Sequence, residues 1–218
     1  MPIAIVGTGR IGSTLARHLV AGGERLIVSG LHDERADALA TELGPRVAAA
    51  PVAAAIALAD TVVFAVWLDV LAMLIGRHGE ALCGKVVIDP SSAFARDPRG
   101  RVMRWTPPGL PAASIVASSL PRGAHYVKAF GAMSAQVLAD AAWCLPTPAT
   151  LFYAVDDRTA EHCAVRLACA AGFEPMRAGA VADAGRIEPG GDLYQHGALA
   201  GRYLTRDRAL YALQRRAA

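Results

Sequence analysis

The chain has 218 residues, of which 54% are hydrophobic and 19% charged, so it can bury a large core and is not expected to be disordered. Its 22 Lys and Arg residues against 19 acidic residues leave a net charge of +3, too weak a basic field to indicate nucleic-acid binding. We find no secretory signal and no uninterrupted apolar run of about 18 residues. We therefore expect a cytoplasmic protein that binds neither nucleic acid nor membrane. The many alanines and the two lysines are typical of GC-rich bacterial genomes.

The first half of the chain alternates between two kinds of apolar pattern. Short apolar runs predict strands, and apolar residues at helical spacing predict helices. Strands are predicted at residues 2–6, 25–29, 46–48, 61–66 and 85–89. Helices are predicted at residues 11–20, 33–43, 51–59 and 69–82, with Asp33 as the expected N-cap of the second.

The second half continues the alternation after a long loop predicted at residues 97–111, which contain four prolines and two glycines. Further helices are predicted at residues 112–120, 134–141 and 158–171, and strands at 126–130, 151–155 and 174–177. This order predicts an α/β fold, a Rossmann-type doubly wound parallel sheet with a small C-terminal helical appendage. Residues 1–178 are the expected NAD(P)-binding domain, and residues 179–218 the expected cap or dimerisation segment.

A glycine motif follows the first predicted strand and opens the first predicted helix, which is the context that a dinucleotide-binding turn requires. The first glycine permits the tight turn, the second lets a pyrophosphate approach the backbone, and the third lets the helix pack on the strand. The N-terminus of the helix offers free N–H groups to the phosphates. The residues predicted to cradle the pyrophosphate are Gly7, Thr8, Gly9, Arg10, Ile11 and Gly12.

The end of the second strand bears on the choice of nucleotide. NAD sites usually place an acidic residue there, to bind the ribose 2′-hydroxyl. Here the tip has no carboxylate, which favours NADP(H) over NAD(H), and a 2′-phosphate could be bound by the Ser29 hydroxyl, His32 and Arg35. The cofactor-binding residues predicted at this tip are Ser29, Gly30, Leu31, His32 and Arg35.

Other strand ends add to the pattern of the glycine turn. The sequence resembles the NADPH-dependent reductases of the deazaflavin coenzyme F420 and their NADP-oxidoreductase relatives, over about residues 3–190. The segments that carry the resemblance are the glycine turn, residues 61–66, 86–89 and 127–130, and the spacing from Asp140 through 151–152 to 172–174. The Lys-Ala-Phe sequence at 128–130 is more specific than the glycine motif.

The resemblance implies hydride transfer between NADPH and a flat, flavin- or deazaflavin-like acceptor that lies over the nicotinamide. It implies that the residues after the fourth core strand line the ribose, and that two further strand ends lie near the nicotinamide. Carried over to this chain, the ribose group is Ala65, Val66 and Trp67, and the nicotinamide group is Pro90, Ser91, Ala129 and Phe130.

The chain departs from the family pattern at four places. It has Gly30-Leu31 in place of the usual Ser-Arg, Trp67 in place of Pro, Ser92-Ala93 in place of Asn-Pro, and Gly131 in place of Asn. We expect Gly131 to leave extra room above the nicotinamide for a bulkier or less polar acceptor. The acceptor is expected in a cleft between the strand ends and residues 193–199, where the candidate contacts are Gly131, Met133, Tyr194 and His196.

Two other dehydrogenase classes are disfavoured by length. A β-hydroxyacid dehydrogenase needs a long helical second domain with a catalytic lysine, and no lysine lies beyond Lys128. A pyrroline-type reductase also needs a longer helical domain. No metal-ligand cluster is apparent and no catalytic residue is assigned. A dinucleotide-binding sensor or regulatory protein without turnover, or a reductase of a different small organic acceptor, remains the alternative. We expect a homodimer, formed through the apolar C-terminal segment.

Overall fold

The protein is described here by a computed structural model, which covers residues 2–97, 99–107 and 109–215, except for the side chain of Arg96. A large sheet and a separate two-stranded ribbon account for the strands in these residues. The strands are β1 (Ile3–Val6), β2 (Leu26–Ser29), β3 (Val47–Ala49), β4 (Thr61–Phe64), β5 (Val86–Asp89), β6 (Phe94–Arg96), β7 (Val102–Arg104), β8 (His125–Ala129), β9 (Thr150–Val155) and β10 (Glu174–Gly179).

Helices lie between most of these strands. The α-helices are α1 (Arg10–Ala21), α2 (Asp33–Leu43), α3 (Val52–Leu58), α4 (Leu68–His78), α5 (Ala112–Ser119), α6 (Ala135–Asp140), α7 (Arg158–Ala170) and α8 (Arg206–Gln214). Two 3₁₀-helical segments, Gly79–Leu82 and Val181–Ile187, extend the helical content.

The large sheet has eight strands in the order β10-β9-β8-β5-β4-β1-β2-β3. The six strands from β3 to β8 are parallel, and the sheet order 3-2-1-4-5 followed by β8 is that of a dinucleotide-binding Rossmann fold. The predicted fold class is therefore confirmed.

The last two strands correct the prediction of an all-parallel sheet. Strand β9 pairs antiparallel with β8, and β10 pairs parallel with β9. A parallel pair needs a crossover connection that carries the chain back to the end of the sheet at which the first strand began. Helix α6 has only six residues, or roughly 9 Å, and β9 begins at the edge where β8 ends.

Strands β6 and β7 form an antiparallel ribbon, and β7 lies within the loop predicted at residues 97–111. Its turn is held by the Asp97 carboxylate, whose Oδ1 accepts the N–H groups of Arg99 and Arg101 at 2.9 Å each. The sequence prediction was wrong here because the side chains of Val102 and its two successors are all exposed, so the strand has no alternating apolar pattern.

Apolar side chains cover both faces of the large sheet, as parallel strands require. Residues from the C-terminal segment, among them Val181, Ala184, Ile187 and Leu193, pack into the cluster that also contains side chains of α3, α4 and α5. The division at residue 178 stays a prediction. None of the helices in the described residues has the length and apolar composition that a membrane crossing requires.

Candidate functional site

The turn between β1 and α1 uses its three glycines in different ways. Gly7 has φ +110°, and a Cβ at that position would lie 2.3 Å from the Ala65 carbonyl oxygen. A Cβ at Gly12 would lie 1.8 Å from the Gly7 carbonyl oxygen. A Cβ at Gly9 would meet no atom of the described residues within 4 Å. The protein itself therefore requires glycine at positions 7 and 12, whereas Gly9 faces open space.

The N-terminus of α1 is left without a side-chain cap. Gly9 is the N-cap, the first turn contains no acidic residue, and no side chain in the described part of the chain caps it with a hydrogen bond. The first N–H groups of a helix have no partner within the helix, and together with the helix dipole they attract anions. Arg10 is exposed at the same end. This turn has the space, the donors and the charge that a pyrophosphate needs.

A cavity of about 380 Å³ lies beside this turn, at the carboxyl ends of β1, β4 and β5. Open α/β sheets bind their ligands at this edge. Eight of the predicted cofactor residues line it, and so does Ser92, which follows Ser91 directly and was not predicted. The lining residues are Gly9, Arg10, Ile11, Ala65, Val66, Trp67, Pro90, Ser91 and Ser92.

The tip of β2 differs in two respects from the sequence prediction. The side chains of Leu31, His32 and Arg35 are exposed, but the Ser29 hydroxyl is buried and has no hydrogen-bond partner among the described residues. It is therefore not presented to a phosphate. Asp33 is not the N-cap of α2, because the helix begins at Asp33 and His32 occupies the cap position without a side-chain hydrogen bond.

Thr8 and Gly30 connect this tip to the glycine turn. A Cβ at Gly30 would lie 2.9 Å from the Thr8 Oγ1, so the two predicted residues are adjacent. The exposed residues of the first turn of α2 include Asp33 and Glu34. Their carboxylates offset part of the positive charge that Arg35 supplies.

A buried polar cluster joins β5 to β8 next to the cavity, and its roles were missed from sequence. The Lys128 Nζ donates to the Asp89 Oδ2 at 2.9 Å and to the Ser91 carbonyl oxygen at 2.7 Å. The Tyr126 hydroxyl donates to the same Asp89 Oδ2 at 2.6 Å, and the Ser91 N–H donates to the Asp89 Oδ1 at 2.7 Å. Lys128 is only 2% exposed and Asp89 is fully buried.

The electrostatics of the cluster favour an ionised Asp89. Burial by itself raises the pKa of this carboxyl, but the positive charge of Lys128 and the hydrogen bonds from Ser91, Tyr126 and Lys128 together hold the pKa below its ordinary value. Burial, and then the Asp89 charge, raise the pKa of Tyr126 well above its ordinary value. Tyr126 therefore stays a neutral donor to Asp89.

The turn between β8 and α6 is filled rather than open. Ala129 and Phe130 are buried, and Phe130 has φ +64°. A Cβ at Gly131 would lie 2.7 Å from the Pro90 carbonyl oxygen and 3.0 Å from that of Ser91. The expected extra room at Gly131 is absent, because the neighbouring strand end occupies it. Ala129, Phe130 and Gly131 do not line the cavity.

The C-terminal segment reaches the edge of the cavity through Tyr194. Its hydroxyl is within hydrogen-bonding range of Ser92; burial raises the pKa of Tyr194, and this contact acts in the opposite direction. His196 is exposed and contacts the Tyr194 ring edge-on, at 6.2 Å between centroids. Met133 lies instead in a small cavity of about 10 Å³ with residues that include Leu193 and Gln195.

Comparisons with known proteins agree with this geometry. Residues 2–93 match the family described as NADP oxidoreductase, coenzyme F420-dependent. This match contains all nine positions of the predicted pyrophosphate and ribose groups, together with Pro90, Ser91 and the β2 tip, and it ends before the Lys-Ala-Phe sequence. No curated protein matches the chain significantly.

Solved structures extend the likeness to most of the chain. A hypothetical protein, SMa0349 from Sinorhizobium meliloti, is 27% identical, with a TM-score of 0.77 over 95% of this chain and 96% of that one. A proposed F420-dependent NADP reductase from Arthrobacter sp. FB24 is 22% identical, with a TM-score of 0.69 over 83% and 86% of the two chains.

A longer protein shares the fold as well. The 3-hydroxyisobutyrate dehydrogenase of Mycobacterium tuberculosis is 20% identical, with a TM-score of 0.58, over 84% of this chain but only 56% of that protein. At this identity the likeness concerns the fold alone. The resemblance of this chain to the coenzyme F420-dependent NADP oxidoreductases is thus confirmed, and residues 2–93 are the part that carries it.

Proposed function

We propose that this protein is an NADPH-dependent oxidoreductase that transfers a hydride between NADPH and a flavin- or deazaflavin-like acceptor. The observation that carries the proposal is the β1–α1 turn, where Gly9 faces open space and the N-terminus of α1 has no side-chain cap. An anion-binding turn that opens into a cavity at the carboxyl edge of a Rossmann sheet fits a dinucleotide.

Different residues at this edge would contact different parts of the nucleotide. The turn from Gly7 to Gly12 would hold the pyrophosphate, and Ala65, Val66 and Trp67 would form the wall beside the ribose. Pro90 and Ser91 would form the floor under the nicotinamide, and we name residues 90–92 the floor segment. When bound, NADPH supplies the hydride, and the acceptor takes that hydride and one proton from water while NADP⁺ is left.

The choice of NADPH over NADH rests on the tip of β2. The exposed tip residues Leu31 and His32 carry no carboxylate that would repel a 2′-phosphate, and Arg35, also exposed, would supply a positive charge near it. Asp33 and Glu34 follow on the same exposed turn, so we propose a modest preference rather than an absolute one.

The acceptor is proposed as a planar molecule because the cavity is bounded by Ile11, Val66 and the partly exposed Trp67 ring. Hydride transfer depends mainly on holding two rings in position, with little acid–base chemistry from the protein. Tyr194, at the edge of the cavity beside Ser92, is the proposed contact from the C-terminal segment.

A sensor that binds NADPH without turnover is the second candidate. The observation that favours it is the composition of the cavity, in which Arg10 is the single ionisable residue among the nine lining residues described. A reductase of another small organic acceptor is the third possibility, and the same assay separates all three.

The test is NADPH binding followed by NADPH oxidation with a panel of acceptors: deazaflavin, free flavin, quinone, ferric chelate and imine. We expect NADPH to bind, and to be oxidised fastest with deazaflavin or flavin. Binding without oxidation would support the sensor, and oxidation with the imine alone would support the third possibility. A failure of the purified protein to bind NADPH at low salt would refute the proposal.

We also propose that the protein forms a homodimer through its C-terminal segment. That segment exposes Tyr203, Leu210 and Tyr211, the last with 62% of its surface accessible. Light scattering after size-exclusion chromatography measures the mass directly. A mass of 22.7 kDa across the concentration range would contradict the dimer.

A further inference from the structure

Both main-chain polar groups of Ser91 are held by a single buried ion pair. The Asp89 Oδ1 accepts the Ser91 N–H at 2.7 Å, and the Lys128 Nζ donates to the Ser91 carbonyl oxygen at 2.7 Å. The same Nζ lies 3.4 Å from the Ser91 Oγ and 2.9 Å from the Asp89 Oδ2. The ion pair is thus closed around the residue at the centre of the floor segment.

Neither member of the pair is placed to touch a ligand. Lys128 is 2% exposed, Asp89 is fully buried, and neither lines the cavity. A buried ion pair is also a poor source of stability, since well-packed apolar residues often serve as well or better. The contact with Ser91 is what an apolar pair would not provide.

The floor segment is held from a second side by the β8–α6 turn. Gly131 packs so closely that a Cβ there would lie 2.7 Å from the Pro90 carbonyl oxygen. Pro90 and Ser91 are both buried while they line the cavity. The position of the floor segment is therefore set by Lys128 of β8 and by Gly131 of the turn that follows, although neither residue lines the cavity.

We infer that Lys128 is a positioning residue, which fixes the floor segment through Ser91 and so sets the distance between the two reacting rings. This inference rests on the proposed function. Its catalytic consequence follows from geometry, because a displacement of about 1 Å between reacting groups can cost about a hundredfold in rate.

The test uses Lys128→Met, with Tyr126→Phe as the matched control. Tyr126→Phe removes a 2.6 Å hydrogen bond to the same Asp89 Oδ2, but Tyr126 has no hydrogen bond to Ser91 among those described. Three quantities are measured: NADPH affinity, kcat with NADPH and with NADPH deuterated at C4, and amide hydrogen exchange of the peptide that contains residues 90–92.

For Lys128→Met we expect a loss of at least tenfold in kcat, a larger deuterium isotope effect, and faster exchange in the floor segment, while NADPH affinity changes by less than threefold. For Tyr126→Phe we expect kcat within twofold and unchanged exchange in this peptide. Lower thermal stability of Lys128→Met with wild-type kcat, isotope effect and exchange would overturn the inference.

A second variant covers the case in which Lys128→Met leaves a buried charge and fails to fold. The double variant Asp89→Leu/Lys128→Met removes both charges, a replacement that buried ion pairs often tolerate. It should show the same loss of kcat and the same faster exchange, and wild-type values for both would overturn the inference. If the wild-type protein binds NADPH but oxidises it with no acceptor, the proposed function fails, and the exchange of residues 90–92 alone decides the inference.

Discussion

Two turns at the carboxyl edge of the sheet, β1–α1 and β8–α6, look alike in sequence but differ in what fills them. Each follows a buried parallel strand, contains glycine and leads into a helix. In the first, Gly9 has nothing within 4 Å of an added Cβ and no side chain caps α1. In the second, Gly131 is pressed against the Pro90 carbonyl oxygen.

The helix of the second turn is also capped by the protein itself. The Ser134 Oγ accepts the Val137 N–H at 3.2 Å, and the buried Gln195 accepts the Ser134 N–H through its Oε1 at 2.6 Å. The protein thus supplies, at α6, contacts that α1 lacks in the described residues. A glycine after a strand indicates a binding site only where the space beside it is open and the helix N–H groups are free.

The largest expected effect comes from adding charge to the open turn. Gly9→Asp should weaken NADPH binding by about 3 kcal/mol or more, over a hundredfold in Kd, because a carboxylate would face the pyrophosphate. Gly76→Asp is the control, since Gly76 is exposed on α4 and an added Cβ there also meets nothing within 4 Å. Titration of NADPH at matched salt measures both. Equal affinity in the two variants would place the nucleotide elsewhere.

A substitution in the β8–α6 turn should change the stability of the protein rather than its affinity for NADPH. Gly131→Ala should lower the free energy of unfolding by about 1–3 kcal/mol, because the methyl group is forced against the main chain of the floor segment. Gly9→Ala adds the same methyl group to open space and should cost about 0.5–1 kcal/mol, the usual penalty for alanine at an N-cap. Urea denaturation compares the two. A Gly131→Ala variant as stable as the wild type would mean that the turn is not tightly packed.

Removing the N-cap of α6 should have a smaller effect on stability. Ser134→Ala should lower the free energy of unfolding by about 1 kcal/mol through the loss of the N-cap hydrogen bond, and should leave NADPH affinity unchanged within twofold. Ser13→Ala, in α1, removes a hydroxyl that only donates to the Gly9 and Arg10 carbonyl oxygens in the described contacts, and serves as the control. A large loss of NADPH affinity in Ser134→Ala would show that the second turn binds the nucleotide too.

The smallest effect is expected at the exposed tip of β2, beside the open turn. Arg35→Gln should weaken NADPH by at most about 1 kcal/mol, because exposed ion pairs are weak and screened by salt. Affinity for NADH should not change. Dissociation constants for both nucleotides at low and high salt test this. If the variant loses affinity for NADH and NADPH equally, Arg35 does not contact the 2′-phosphate.

Much of the fold could be predicted because its signals are local. The strands of the large sheet and the helices between them follow apolar runs and glycine or proline breaks, and the glycine motif of the first turn lies within six residues. The β6–β7 ribbon could not be predicted in this way, since exposed residues such as Val102 and Met103 leave no periodic pattern. The direction of β9 was also beyond local signals, since it depends on where α6 returns the chain.

The same distinction between local sequence signals and tertiary packing applies to the candidate site. By itself, the sequence determined the Rossmann class, the open turn and the eight predicted residues around the cavity, because each follows from a strand end and its next few residues. Only the tertiary structure decided that Gly131 packs against the Pro90 carbonyl oxygen, that the Ser29 hydroxyl is buried, and that Lys128 donates a hydrogen bond to the Ser91 carbonyl oxygen. These features depend on distances between strands and turns far apart in the chain, and such distances are set by packing rather than by local sequence.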